Sequence, residues 1–143
     1  MTGEFSRCIS EGLIRKETEV KTRVAGELAT AEKFCKAAEK NAGIVEKEMA
    51  VIAAYNSSFH SMRALLFAKG YTERSHYCLV KAVAELYKEN KGLSDAINAL
   101  DRERIARHKI QYDGEDATEL EAALSIELAK EVLALARKEL GQK

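Results

Sequence analysis

Apolar residues recur at every third or fourth position through most of this chain, and they break off at intervals. Val20, Val24, Leu28, Ala31, Cys35 and Ala38 form one stripe, which predicts a helix over about 18–41. Val45, Met49, Ile52, Tyr55, Phe59, Met62 and Leu66 form the next, for a helix over about 44–69. Leu79, Val83, Leu86 and Tyr87 mark a third stripe, over about 73–90. Ile97 and Leu100 begin a fourth, over about 94–112 with Ser94 as N-cap. Leu120, Leu124, Leu128, Val132 and Leu135 complete the last, over about 116–140. Its start offers two capping boxes, Asp116 with Glu119 and Thr118 with Glu121. A short helix over about 4–14 precedes them all.

Gly43, Gly70, Gly92 and Gly114 fall where these stripes stop, the expected place for a helix C-terminus and turn. Short turns between long helices make antiparallel neighbours. The predicted fold is therefore all-α, an up-and-down antiparallel helical bundle of four long helices with one or two more, and a single domain over 1–143.

Composition supports this picture. The 143 residues are 46% hydrophobic and 32% charged, with no proline. That is a globular balance without the residue that most often breaks helices. Lys+Arg and Asp+Glu are both 23, so any contact with nucleic acid must be through a local patch. Cys8, Cys35 and Cys78 lack metal-ligand spacing and are expected as free thiols of a cytoplasmic protein. No apolar run reaches the ~18 residues that cross a bilayer, and no membrane partner is expected.

One segment departs from the pattern. Arg102, Arg104, Arg107, His108, Lys109 and Tyr112 lie together near the end of the fifth helix. On a wheel of about 100° per residue, Arg104, His108 and Gln111 continue the line begun by Ile97 and Leu100. Polar groups on a core-facing line need partners or a cavity. They either hydrogen-bond neighbouring helices or form a partly enclosed anion site, with arginine as a fork and histidine as a titratable group. His60 interrupts the third helix and His76 opens the fourth. Both are candidates for phosphate contact beside ordinary structural roles. Glu73 and His76 have the spacing of half a di-iron site, but a second such pair is absent, so neither metal nor cofactor is expected.

The run from Ala54 through Tyr55, Phe59, Arg63-Ala-Leu-Leu66 and Gly70, followed by Ser75-His76 and by Arg107-His108-x-x-x-Tyr112-Asp113, resembles a HEPN domain, the higher eukaryotes and prokaryotes nucleotide-binding family. The resemblance implies a helical bundle that often dimerises, and a function among metal-independent ribonucleases encoded beside a minimal nucleotidyltransferase as toxin and antitoxin. In the family motif an arginine binds the scissile phosphate and a histidine four to six residues beyond it moves a proton. With Arg107 as the motif arginine, that histidine position is Tyr112 here. A second register pairs Arg102 with His108.

The implied catalytic set is Arg107, His108 and Tyr112, with Arg102, Arg104, Lys109, His60 and His76 as possible phosphate contacts. Tyrosine, whose ordinary pKa is about 10, is a poor base at neutral pH. The leading expectation is therefore a homodimeric protein that binds a nucleotide or RNA phosphate and works with a minimal nucleotidyltransferase, with a degenerate ribonuclease motif. An active ribonuclease toxin and a noncatalytic helical scaffold are the alternatives.

Overall fold

A computed structural model describes residues 3–43 and 46–142. Six α-helices follow in order among the described residues: α1 (Gly3–Ser10), α2 (Val24–Gly43), α3 (Lys47–Ala68), α4 (His76–Leu86), α5 (Lys91–Asp113) and α6 (Glu119–Leu140). Two three-residue strands, β1 (Ile14–Lys16) and β2 (Tyr71–Glu73), and a 3₁₀ segment over Thr18–Arg23 complete the chain. The all-α bundle expected from the stripes is the fold. The predicted start of the third helix, with Val45, lies outside the described residues.

Helix α3 is the centre, packing against α2, α4, α5 and α6. Small residues let it approach α2 closely. Ala31, Cys35 and Ala38 on α2 are buried, as are Ala50, Ala53, Ala54, Ser57 and Ser61 on α3. The Ser57 hydroxyl donates to the Ala31 carbonyl at 2.7 Å, which satisfies a polar group that the dry seam would otherwise penalise by about 1–3 kcal/mol. Of the predicted stripe, Leu28, Ala31, Cys35 and Ala38 on α2 are buried, as is Val20 in the 3₁₀ segment, while Val24 is half-buried.

Helix starts show which capping residues won. Ser75 caps α4 by accepting from the Cys78 N–H. Asn90, not Ser94, caps α5, so that helix begins a turn earlier than predicted and takes Gly92 into its first turn. A Cβ on Gly92 would approach Leu135 to 3.2 Å, so the residue serves close packing rather than a helix end. Thr118 and Glu121 form the reciprocal capping box of α6. Gly114, with φ of 71°, closes α5 in the left-handed region.

The last helix buries only the second half of the predicted stripe: Val132 is buried, and Leu128 and Leu135 are half-buried against the core. Ala122, Ser125, Ile126, Ala129, Val132, Leu133 and Ala136 face inward, while Leu120 and Leu124 are 67% and 60% exposed. Small residues fit the tight contact with α3, and Leu120 and Leu124, in the first two turns, face outward.

The N-terminal region departs most from the prediction. The first helix stops at Ser10, Gly12 turns at φ of 73°, and Ile14 enters β1, which pairs antiparallel with β2 in the register Ile14↔Glu73, Arg15↔Thr72, Lys16↔Tyr71. The start of the second predicted helix is the 3₁₀ segment. The start of the fourth is β2. The expected set of free thiols is also corrected: Cys8 and Cys78 form a disulfide, and Cys35 alone is free. Nothing in their spacing of seventy residues shows this, because it needs α1 to fold back onto α4.

Candidate functional site

Four side chains at four-residue steps, Tyr55, Phe59, Arg63 and Phe67, form a column along α3. His76, the first residue of α4, comes against its upper half. Its ring stacks on Phe59 with centroids 4.3 Å apart, and its Nδ1 lies 2.8 Å from the Tyr55 hydroxyl. The turn through Gly70 and β2 brings it there, and the Ser75 cap fixes where the helix starts.

Helix α5 supplies the cations. The Arg107 guanidinium lies over the Tyr55 ring at 4.5 Å, a cation–π contact in a partly dry setting. One of its terminal nitrogens donates to the Gln111 side chain at 2.9 Å. Its Nε is buried without a partner among the described residues. Arg104 lies over Tyr77 at 5.8 Å and meets Asp101 at 3.4 Å. The Tyr77 hydroxyl in turn donates to Glu4 at 2.6 Å, so α1 braces this side of the site.

Burial pushes the His76 imidazole below its ordinary pKa, and the charges of Arg107, Arg104 and Arg63 and of His60 act in the same direction. Burial raises the Tyr55 phenol, against the opposing pull of Arg107. Near neutral pH the site therefore presents guanidinium groups beside a neutral imidazole and a protonated phenol. An anion entering here would offset the cationic field and raise the proton affinity of His76. Guanidinium forks suit phosphate oxygens, and a neutral imidazole either donates or accepts a proton as its tautomer dictates.

Beneath lies a second polar group. His60 Nδ1 bonds the Glu27 carboxylate. Arg63 reaches Glu27 at 3.4 Å and Glu73 at 3.0 Å. Burial alone would raise Glu27, but the hydrogen bond from His60 and the charge of Arg63 bring it below the ordinary carboxylate range. For Glu73 burial wins and its pKa rises, despite Arg63. Arg63 is thus committed to two carboxylates, and His60 is a buttress rather than an open contact.

The sequence-derived candidates separate on the two sides of α5. Arg104, Arg107 and His76 converge. Arg102, His108 and Lys109 are exposed, and Tyr112 is 64% exposed. His108 packs its ring on Tyr112 at 4.8 Å and does not continue the buried line as the wheel predicts. The buried line of α5 passes through Leu93, Ala96, Ile97, Leu100 and Ile110, which turns Glu103 and Arg107 inward and His108 outward. Tyr112 keeps a link to the site, since Arg107 lies 5.9 Å from its ring centre. Tyr55, Phe59 and Arg63 belong to the site and are missing from the candidate list. The repeat of four along α3 was their visible signal.

No helix among the described residues is long and apolar enough to cross a membrane. No curated protein matches the chain. A family model described as HEPN domain matches residues 27–140.

Proposed function

The chain belongs to the HEPN domain family, and on that premise we propose that it binds the phosphate of a nucleotide or RNA between Arg104, Arg107 and His76. In this reading its ribonuclease motif is degenerate at Tyr112, and it acts beside a minimal nucleotidyltransferase in a toxin–antitoxin-type pair. The observation that carries the binding reading is Arg107. Its Nε is buried and unpartnered, its charge is held over Tyr55, and the imidazole bonded to that tyrosine is kept neutral. A hydrogen bond from a charged donor contributes about 1.5–3 kcal/mol. Isothermal titration with adenosine and uridine monophosphates should therefore give affinities that Arg107→Ala weakens by roughly tenfold or more. Absence of binding by the unaltered protein would refute the reading.

The neutral His76 beside Arg107 favours a second reading, an active metal-independent ribonuclease. It differs from the motif-based expectation in placing the proton-handling group on α4 rather than at His108. Cleavage of RNA in chelator that His76→Ala abolishes and His108→Ala spares would support it.

A homodimer fits the surface. Met49, Ile105, Tyr112, Leu120 and Leu124 are exposed, and they lie at the start of α3 and along α5 and α6. Scattered apolar residues need no explanation, but a concentrated patch marks an interface. Leu124→Asp should lower the mass measured by sedimentation equilibrium if this face joins two copies.

A further inference from the structure

The α3 column does not end at the candidate site. Its last ring, Phe67, is fully buried and carries two guanidinium groups, Arg63 at 5.0 Å and Arg23 at 5.1 Å. Arg63 also lies 5.7 Å from the Phe59 ring, which stacks on His76. A continuous chain of ring and guanidinium contacts therefore runs from Arg107 through Tyr55, His76, Phe59, Arg63 and Phe67 to Arg23. Twelve residues of helix separate Tyr55 from Phe67, a rise of about 18 Å.

Arg23 belongs to the 3₁₀ segment, which lies outside the residues matched by the family model. Lys21 is beside it, with its side-chain stem against Gly70. Arg15 and Lys16 are exposed on β1. None of these four forms an ion pair within 4.0 Å among the described residues, and the segment also carries Glu17 and Glu19. The local balance is still positive, four cations to two carboxylates. Arg63, at the middle, is offset by Glu27 and Glu73. Arg104 is paired with Asp101 and Arg23 acts on the Glu27 carboxylate, so among the described residues the cations without an ion pair are Arg107 at one end of the column and Lys21, Arg15 and Lys16 toward the other.

We infer that this ribbon is a track for a single-stranded phosphodiester chain, anchored at Arg104 and Arg107 and held a second time by Arg23 and Lys21. The inference rests on the phosphate-binding reading above and extends it from one phosphate to a strand. Phe67 and Tyr55 are buried beneath the guanidinium groups, so the track grips backbone phosphate and reads no base. Binding is sequence-independent and salt-dependent.

The test compares a mononucleotide with a labelled oligouridylate of roughly 15 nucleotides, by titration and fluorescence anisotropy. The oligonucleotide should bind at least about tenfold tighter. Arg23→Ala with Lys21→Glu should remove that gain and leave mononucleotide affinity within about twofold, since neither residue touches the anchor. The slope of log K against log salt should flatten by about 1.4, two phosphates at about 0.7 each. Circular dichroism melting of the double variant, and of Lys21→Glu alone, checks that Phe67 keeps its packing. An oligodeoxyuridylate of equal length separates general phosphodiester binding, with equal affinity, from a requirement for the 2′-hydroxyl, which would overturn a backbone-only grip. If mononucleotide binds but the longer chain gains nothing, or if the double variant keeps the gain, the track is wrong and the anchor stands. If neither ligand binds, both readings fall.

Discussion

Glu103 lies one turn before Arg107 on α5, and its environment sets a measurable cost. The carboxyl lies in a recess of about 430 Å³ between α5 and α6 with Val51, Ala99, Ser125 and Leu128 in its walls. Its Oε1 has no partner among the described residues. Burial pushes its pKa up to about 7, with Ser125 opposing. The folded state thus holds a proton that the unfolded chain releases in the ordinary carboxylate range. Stability from this group is full below about pH 4.5 and is lost as pH rises to about 7. Glu103→Gln should stabilise the protein by on the order of 2 kcal/mol at pH 8 and by nearly nothing at pH 4. Urea denaturation at the two pH values reads this directly. No gain at pH 8 would mean that the carboxylate is satisfied.

His76 works with the opposite sign. Its folded pKa is depressed, so the unfolded chain takes the proton first, and stability is lost as pH falls below about 6.5. The two windows overlap and partly cancel in the unaltered protein. In the Glu103→Gln background the acid-side loss should stand out as pH falls below about 6.5, and His76→Gln should suppress it. The residue scale is also where sequence reading reached least far. The wheel located a polar anomaly on α5, but a small error in phase exchanged His108 for Glu103 and Arg107. Tyr55 was visible as a member of an apolar stripe and of the family-like run, with no role attached. Its hydroxyl became informative once the β2 turn delivered His76 to it.

At the scale of elements, helices were legible and their ends were not. The Leu28-to-Ala38 stripe of α2 and the Thr118–Glu121 box are local signals, and each folds as read. The strands β1 and β2 are three residues long and draw on pairing across the chain, so no local period announces them. The same holds for the Cys8–Cys78 bond, which ties α1 to α4 beside His76 and Tyr77. Closing so long a loop contributes roughly 2–4 kcal/mol through the unfolded state. Reduction by dithiothreitol, or Cys8→Ser with Cys78→Ser, should lower the melting temperature and raise amide exchange in α1 and β1 ahead of α3. Unchanged exchange there would show that Glu4–Tyr77 and the strand pair suffice to hold the segment. Capping is the smaller element-scale contribution: Thr118→Ala should cost about 1 kcal/mol.

At the scale of the whole molecule, zero net charge conceals a sorted one. Guanidinium groups lie over the rings at both ends of the α3 column, and exposed apolar side chains lie at the start of α3 and on α5 and α6. In the proposed reading the first surface meets an anion and the second serves association. The match to the HEPN family covers residues 27–140, while β1 and the 3₁₀ segment come before it.

The most direct measurement follows the His76 imidazole by ¹⁵N-edited NMR through a pH titration, with and without adenosine monophosphate, using His60 and His108 as internal references. The account expects the nucleotide to shift the His76 resonances and raise its pKa, with His108 little affected and the effect lost in Arg107→Ala. A nucleotide that leaves His76 unmoved, or moves only His108, would contradict it.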